Sequence, residues 1–397
     1  MLVLTLSAAA VSLASAQTET VLYNFCSQPN CADGQSPFGG VIMDKKGNIY
    51  GTTYDGGASG LGVVFKLTPA GEESVLYNFC SQSGCSDGSQ PYAGLIMDKK
   101  GNLYGTTVNG GTANNGTVFM LAPSGEETVL YRFCSQSGCS DGSTPYGGLI
   151  MDSEGNLYGT TVYGGTNGNG TVFKVSSSGE ETVLYRFQGS PGDGSQPFST
   201  LVMDKKGNLY GTTIGGGTTG TGGVNGWGTV FKVASTGEES VLYNFLGEPS
   251  GDAGNPWAGM VMDKKGNLFG TTIGAGEYMN GTVFELTSKG EETVLHSFTG
   301  GDDGIFPYAG LVMGKKDSLY GVTSTGNGNN WGAAFELAPG TKGEPWNFTV
   351  LHDFNSGGND GLDPYGTLIL DKKGNLYGTT AGGGCTNCDG TVFKITP

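Results

Sequence analysis

The sequence predicts an all-β protein, a seven-bladed β-propeller with four antiparallel strands in each blade. Three observations carry this prediction. A unit of about 54 residues recurs along the chain, each unit contains four short strand-like segments, and the two ends of the chain hold complementary parts of one unit. A ring of repeated sheets accounts for all three.

The number of blades follows from a Gly-Thr-Thr motif that marks each repeat. It appears seven times, with Val in place of the first Thr in the sixth copy, and all length variation falls between the copies. The copies begin at Gly51, Gly105, Gly159, Gly211, Gly270, Gly321 and Gly378.

The second unit shows the four strands, which we name A to D in chain order. Residues 94–97 form a short apolar run, and residues 103–107 follow after an Asp-Lys-Lys-Gly-Asn turn. Residues 117–121 and 128–133 are the third and fourth segments, and the last alternates apolar and polar residues with a period of two. Hairpins of short strands are therefore expected in every unit.

The chain ends predict how the ring closes. The first strand, residues 20–25, resembles a lone D strand, and the chain finishes with the A, B and C strands of the seventh unit. Pairing the two ends would complete the seventh blade and remove two exposed sheet edges.

Export is indicated by the N-terminus and the cysteines. Residues 1–16 read as a signal peptide, with an apolar run and Ala14-Ser15-Ala16 before the cleavage point, so residues 17–397 would form the propeller. Eight cysteines occur as local pairs, which is typical of disulfides in secreted proteins. The predicted disulfides are Cys26–Cys31, Cys80–Cys85, Cys134–Cys139 and Cys385–Cys388.

The recurring motifs carry a family resemblance. The order D-G-x-x-P-aromatic, D-K-K-G-N-L-Y-G-T-T, G-T-V-F-K-L and G-E-E-T-V-L-Y resembles the GloVer tandem repeat of bacterial extracellular proteins, over residues 19–397. The resemblance implies extracellular repeats carried with a surface anchor, and it implies no established activity. No anchor follows the last repeat here, so we expect free secretion.

The net charge of the chain excludes some classes of binding partner. The net charge is −16, which disfavours nucleic acid and anionic membranes. No segment after the signal peptide approaches the roughly 20 apolar residues of a membrane span. We expect a monomer whose partner is a polysaccharide or an extracellular protein.

Strand direction sorts the loops into two faces. The D–A and B–C loops leave from one end of the ring, and the A–B and C–D turns leave from the other. The second face carries Lys pairs beside Glu pairs such as Glu72 and Glu73, which we interpret as a solvated surface.

The D–A loops share an Asp-x3-Pro-aromatic pattern on the first face. The Asp is expected to cap loop N–H groups and the aromatic to wedge neighbouring blades. Ligand contact is one alternative, and Ca²⁺ bound by a few of the carboxylates is another. The Asp residues are Asp33, Asp87, Asp141, Asp193, Asp252, Asp303 and Asp360, and the aromatics are Phe38, Tyr92, Tyr146, Phe198, Trp257, Tyr308 and Tyr365.

A ligand site is predicted where aromatic residues depart from the repeat on this face. Exposed aromatic rings on adjacent blades could stack on sugar rings, although Trp could also fill gaps left by irregular loops. The predicted ligand-binding residues are Trp227, Trp257, Trp331, Tyr278 and Tyr308.

No catalytic residue can be assigned. His296 and His352 each replace the Tyr of a D strand and are interpreted as structural variants. The favoured function is a secreted, non-catalytic binding or scaffold propeller without a resident metal. The alternatives are a glycan-active hydrolase or lyase that uses carboxylates on the same face, and a protein-interaction module.

Overall fold

Each repeat folds into one four-stranded antiparallel sheet in which strands A, B, C and D are neighbours in that order. The computed structural model describes residues 18–218, 226–247, 251–326, 331–341, 344–355 and 360–396. The predicted signal peptide, residues 1–16, lies outside these residues. Seven such sheets form the ring, which confirms the predicted seven-bladed propeller.

The strand bounds repeat with little variation, and the A strands are shorter than the sequence indicates. The first three blades comprise Ile42–Met43, Ile49–Thr53, Val63–Leu67 and Glu73–Asn78; Ile96–Met97, Leu103–Thr107, Thr117–Leu121 and Glu127–Arg132; and Ile150–Met151, Leu157–Thr161, Thr171–Val175 and Glu181–Arg186. Blades four and five comprise Val202–Met203, Leu209–Thr213, Thr229–Val233 and Glu239–Asn244; and Val261–Met262, Leu268–Thr272, Thr282–Leu286 and Glu292–Ser297. The last two comprise Val312–Met313, Leu319–Thr323, Ala333–Ala338 and Asn347–Asp353; and Ile369–Leu370, Leu376–Thr380, Thr391–Thr396 and Thr18–Asn24.

The seventh blade joins the two ends of the chain. Strand Thr18–Asn24 pairs antiparallel with Thr391–Thr396, in a register that runs from Thr18 opposite Thr396 to Asn24 opposite Thr391. The N-terminal strand is therefore the D strand of blade seven, and the predicted closure is confirmed.

The core lies in seven apolar clusters, one at each seam between adjacent blades. At each seam the Phe that follows a D strand meets the Phe of the next blade's C strand, with ring centroids 4.8–5.4 Å apart. These edge-to-face contacts bind one blade to the next. The pairs are Phe25–Phe65, Phe79–Phe119, Phe133–Phe173, Phe187–Phe231, Phe245–Phe284, Phe298–Phe335 and Phe354–Phe393.

Packing explains the Gly-Thr-Thr motif. A Cβ atom at Gly105 would lie 2.8 Å from the Phe119 side chain and 2.9 Å from Leu95, so only Gly fits beneath the Phe119 phenyl group. The hydroxyl of the first Thr reaches the next blade, as when Thr52 donates to the Ala93 carbonyl at 2.9 Å. The motif thus serves both the interior of a blade and the seam.

Smaller elements complete the described chain. Three two-stranded ladders pair Gly194–Ser195 with Gly215–Gly216, Ala253–Gly254 with Gly274–Ala275, and Gly361–Leu362 with Gly382–Gly383. Short 3₁₀ turns cover Pro29–Cys31, Ser83–Cys85, Ser137–Cys139 and Lys315–Asp317. None of the helices in the described residues has the length and apolarity that a membrane span requires.

Candidate functional site

The D–A and B–C loops meet at one end of the ring. Backbone bridges join the two loops within a blade, as between Gln35 and Asp55 and between Ser89 and Asn109. The three two-stranded ladders occupy the equivalent place in blades four, five and seven. These loops form one face, which we call the loop face.

A closed ring of seven aromatic side chains lies at the centre of the loop face, and we call it the aromatic ring. Each is the residue that follows the Pro of a D–A loop, and each is half-buried. Every member contacts both of its neighbours, with centroids 4.1–5.4 Å apart. In order around the ring they are Phe38, Tyr92, Tyr146, Phe198, Trp257, Tyr308 and Tyr365.

The aromatic ring surrounds the mouth of a central channel. The space at the mouth is about 90 Å³, and besides the aromatics it is lined by Gly, Ala, Ser and Thr residues. The channel beyond has a volume of about 310 Å³ and a lining of Gly, Thr and aliphatic residues such as Val41, Leu95 and Leu149. The residues that line the mouth therefore include no carboxylate and no His, and Tyr is its only titratable residue type.

The aromatic ring is a low-dielectric environment for its own hydroxyl groups. Burial, reinforced by Tyr365 on the far side of Phe38, raises the pKa of Tyr92 well above its usual range. The Tyr92 hydroxyl therefore stays protonated at any physiological pH and can serve as a neutral hydrogen-bond donor or acceptor.

The structure brings Trp257 and Tyr308 together, as two members of the aromatic ring. Trp257 stacks on Phe198 with centroids 4.1 Å apart and meets Tyr308 edge-on at 5.4 Å. Trp227 and Trp331 pack instead on the seam clusters between blades four and five and between blades six and seven.

Trp227 and Trp331 share one position in the repeat, directly before the Gly that opens strand C. Asn115 and Asn169 hold the same position in blades two and three. The Trp227 carbonyl accepts a 2.7 Å hydrogen bond from the N–H of Asn255, and the Trp331 carbonyl accepts one of 3.2 Å from Asp363. In sequence the two Trp residues resemble irregular loop features, but they lie at a regular contact between blades.

Tyr278 lies apart from the aromatic ring, in the B–C loop of blade five. It is 47% exposed. Together with His296 and Thr299 it lines a shallow hollow on the outer part of the blade.

The loop aspartates cap their own loops. Asp33 is fully buried, and its carboxylate accepts hydrogen bonds from the Tyr23 hydroxyl, the Ser27 N–H and hydroxyl, and the Gln28 N–H, at 2.8–3.3 Å. Asp87 and Asp141 have the equivalent partners. Because these donors already occupy the carboxylates of Asp33, Asp87 and Asp141, these three residues explain loop shape and offer little to a Ca²⁺ ion.

Both histidines take the place of the capping Tyr. The His296 Nε2 lies 3.1 Å from Asp303, and the His352 Nε2 lies 3.1 Å from Asp360. Burial lowers the pKa of His296, against the opposing effect of Asp303. Their position in the structure agrees with the interpretation that they are variants of an outer-strand residue.

All four predicted disulfides are present. Three of them, Cys26–Cys31, Cys80–Cys85 and Cys134–Cys139, staple consecutive D–A loops, and Cys385–Cys388 staples the B–C loop of blade seven. This bonding is consistent with an extracellular protein.

The second Glu of each Gly-Glu-Glu turn is more buried than the sequence predicts. Glu72 is exposed as expected, but Glu73 is half-buried and its Oε1 is fully buried with no hydrogen-bond partner among the described residues. Burial and the nearby Asp33 raise the pKa of Glu73 to about 7. Five other Glu residues share this environment: Glu19, Glu127, Glu181 and Glu239 with a pKa of about 7, and Glu292 with about 8. Sequence reasoning missed these carboxyls because only the fold sets the Asp of one loop beside the next D strand.

Comparison with known proteins agrees with the repeat pattern. The Gloeobacter/Verrucomicrobia repeat model matches residues 7–224 and again residues 216–397. The chain belongs to the Gloeobacter/Verrucomicrobia repeat family. This confirms the resemblance, while a search of curated proteins finds no match to this family member.

Solved structures share the fold of this Gloeobacter/Verrucomicrobia repeat protein at low sequence identity. The extracellular domain of a proposed one-component system from B. thetaiotaomicron superposes with a TM-score of 0.56 at 9% identity, covering 95% of this chain and 40% of that one. A proposed 6-phosphogluconolactonase from Bacteroides uniformis superposes with a TM-score of 0.50 at 13% identity, covering 87% and 90%. At these identities the likeness extends to the fold alone.

Proposed function

We propose that this protein is an extracellular, non-catalytic binding module for a neutral polysaccharide, and that it holds the glycan on the aromatic ring. The observation that carries the proposal is the unbroken contact of seven half-buried aromatic side chains around the channel mouth. Aromatic faces in a concave site are a common surface for the apolar faces of sugar rings.

Polar side chains around the aromatic ring supply partners for sugar hydroxyls. Gln90 accepts a hydrogen bond from the Asn109 amide at 2.7 Å, and the Gln35 amide donates to Asp389 at 2.6 Å. These amides and carboxylates lie in the D–A and B–C loops of the loop face, outside the set of residues that line the mouth. Trp227, Trp331 and Tyr278 stay predicted contacts on the same loop face.

Charge selects among glycans. A net charge of −16 repels uronic-acid and sulfated chains, so a neutral polysaccharide is favoured. A binding function is favoured over hydrolysis because the mouth is lined by residues that carry neither a carboxylate nor a His.

Calorimetric titration of the mature protein with neutral and anionic soluble polysaccharides tests the proposal. We expect saturable binding of a neutral glycan and at least about tenfold weaker binding by Trp257→Ala. Trp346→Ala is the matched control, because Trp346 is also half-buried but precedes strand D of blade six, at the opposite end of the ring.

Reducing ends measured over hours in the same mixtures separate binding from catalysis. Accumulation of product would favour the glycan-active enzyme. A flat titration with every glycan would contradict the proposal and favour a protein partner.

A further inference from the structure

We propose that the seam between blades six and seven holds one divalent transition-metal ion, with Zn²⁺ as the best match. The ligands would be Glu19, His352 and Asp360. Each of the three offers one ligand atom, and these atoms all lie within 4.8 Å of one another. One imidazole nitrogen with two carboxylate oxygens is a donor set that suits Zn²⁺ and Mn²⁺, and water would complete the coordination.

The His352–Asp360 pair is held in place for this task. The His352 Nε2 lies 3.2 Å from Oδ1 and 3.1 Å from Oδ2 of Asp360, a spacing that two ligands of one ion also adopt. The Asp360 carboxylate is oriented by the Gly361 N–H at 2.8 Å and by the Asn355 N–H and side-chain amide at 3.0 and 3.2 Å. A carboxylate has about four acceptor positions, so these three donors leave the one that faces the His352 Nε2, and a cation would bind between the two side chains in place of their hydrogen bond.

The position of Glu19 is shared with Glu73, Glu127, Glu181, Glu239 and Glu292, each of which also has a buried carboxylate oxygen without a hydrogen-bond partner among the described residues. His352 is therefore what distinguishes this seam, and Glu19 completes the donor set. Its Oε1 is fully buried and has no hydrogen-bond partner among the described residues. Burying an unpartnered carboxylate oxygen beside a second carboxylate is costly, and a cation between them would remove that cost.

Comparison of the seven seams shows that this combination of metal-ligating side chains occurs at one seam among the described residues. Five seams have Tyr where His352 lies, namely Tyr23, Tyr77, Tyr131, Tyr185 and Tyr243. The seam between blades five and six has His296 beside Asp303, but there Phe348 replaces the Glu and stacks on His296 with centroids 4.0 Å apart. Only the seam formed by the N-terminal strand combines His, Asp and Glu in the described residues.

The location gives the ion a structural role. Glu19 lies in Thr18–Asn24, the strand that closes the ring, whereas His352 lies in the D strand of blade six. A shared ion would tie the closing strand to the neighbouring blade as well as to its own, and binding would add to the free energy of unfolding.

The test is calorimetric titration of the chelator-treated mature protein with Zn²⁺, repeated with Mn²⁺ and Co²⁺, together with melting curves. We expect one saturable site per chain and a rise in melting temperature of several degrees. His352→Tyr, which restores the residue of the other blades, and Glu19→Gln should abolish both effects. His296→Tyr, the matched control, should retain them.

A gain-of-site variant sharpens the test. Phe348→Glu would place a carboxylate beside His296 and Asp303, and we expect it to raise the stoichiometry from one ion to two. The proposal is overturned if none of the three metals binds the wild-type protein, or if His352→Tyr binds Zn²⁺ as tightly as wild type does. Equal loss of binding in His296→Tyr would also overturn it.

Discussion

Phe25, which follows the N-terminal strand, lies edge-on against Phe65 of blade one with 4.8 Å between the ring centroids, and both side chains are fully buried. The contact repeats the one made at every other seam, yet here it joins the first strand of the chain to the blade that follows it. The N-terminal strand therefore both completes blade seven and seals the ring against blade one.

Phe25→Ala should destabilise the protein by about 3–5 kcal/mol, because it removes a fully buried phenyl group and leaves a cavity at the seam that closes the propeller. Urea unfolding followed by far-UV circular dichroism measures the change. Phe79→Ala is the matched variant at the next seam and should cost a similar amount. An unchanged midpoint for Phe25→Ala alone would mean that the N-terminal strand does not close the ring.

Gly105→Ala should destabilise the protein by about 1–3 kcal/mol, because the added methyl group would overlap the Phe119 ring. Thermal melting gives the comparison with Gly301→Ala, an exposed loop position whose nearest neighbour would be the Thr299 hydroxyl at 3.3 Å. If the two variants melt alike, the motif glycine is not required by packing.

Asp303→Asn should cost about 2–4 kcal/mol, because Asp303 accepts hydrogen bonds from the Thr299 N–H at 2.8 Å and from its hydroxyl at 2.6 Å. Asp302→Asn, at the exposed neighbouring position, should change the free energy of unfolding by less than about 0.5 kcal/mol. Chemical denaturation measures both, and equal effects would contradict the capping role.

Glu73→Gln should stabilise the protein at pH 8 and leave it unchanged at pH 4. The pKa of Glu73 is raised from 4.5 to about 7, so the buried carboxyl is neutral in the folded state at low pH and must ionise beside Asp33 and Tyr23 as the pH rises. The folded state thus loses stability as the pH rises from about 4.5, the unfolded value, to about 7, and Gln removes that loss. We expect a gain of about 1 kcal/mol, since a half-buried carboxyl is partly screened by solvent.

Unfolding free energies across pH 4–9 measure this profile, with Glu72→Gln as the exposed control. A gain that is the same at pH 4 and pH 8 would show that the effect comes from hydrogen bonding or packing and not from ionisation.

Most of the fold can be predicted from the sequence, because the same pattern of local structure recurs in seven repeats. The Gly-Thr-Thr copies predict the blade count, and the lone D strand at the N-terminus predicts the closure. The cysteine spacing predicts four disulfides that the structure contains.

The relationships across seams are harder to read from the sequence. Nothing local indicates that Trp331 lies against the next blade, that Glu73 lies near Asp33, or that Glu19 lies beside His352. Asp33 and Glu73 are separated by most of a repeat, and Glu19 and His352 by most of the chain. These contacts depend on which strands and loops the ring brings together across a seam.

The most direct test of the proposed function uses Trp257 as the sole fluorophore. In a variant that carries Trp227→Phe, Trp331→Phe and Trp346→Phe, the remaining Trp257 lies between Phe198 and Tyr308 in the aromatic ring. If the aromatic ring holds the glycan, titration with the polysaccharide that binds the wild-type protein should shift the Trp257 emission saturably. The dissociation constant from this shift should equal the one that calorimetry gives. Binding of that polysaccharide by the same variant without any change in Trp257 emission would place the site elsewhere and contradict the account.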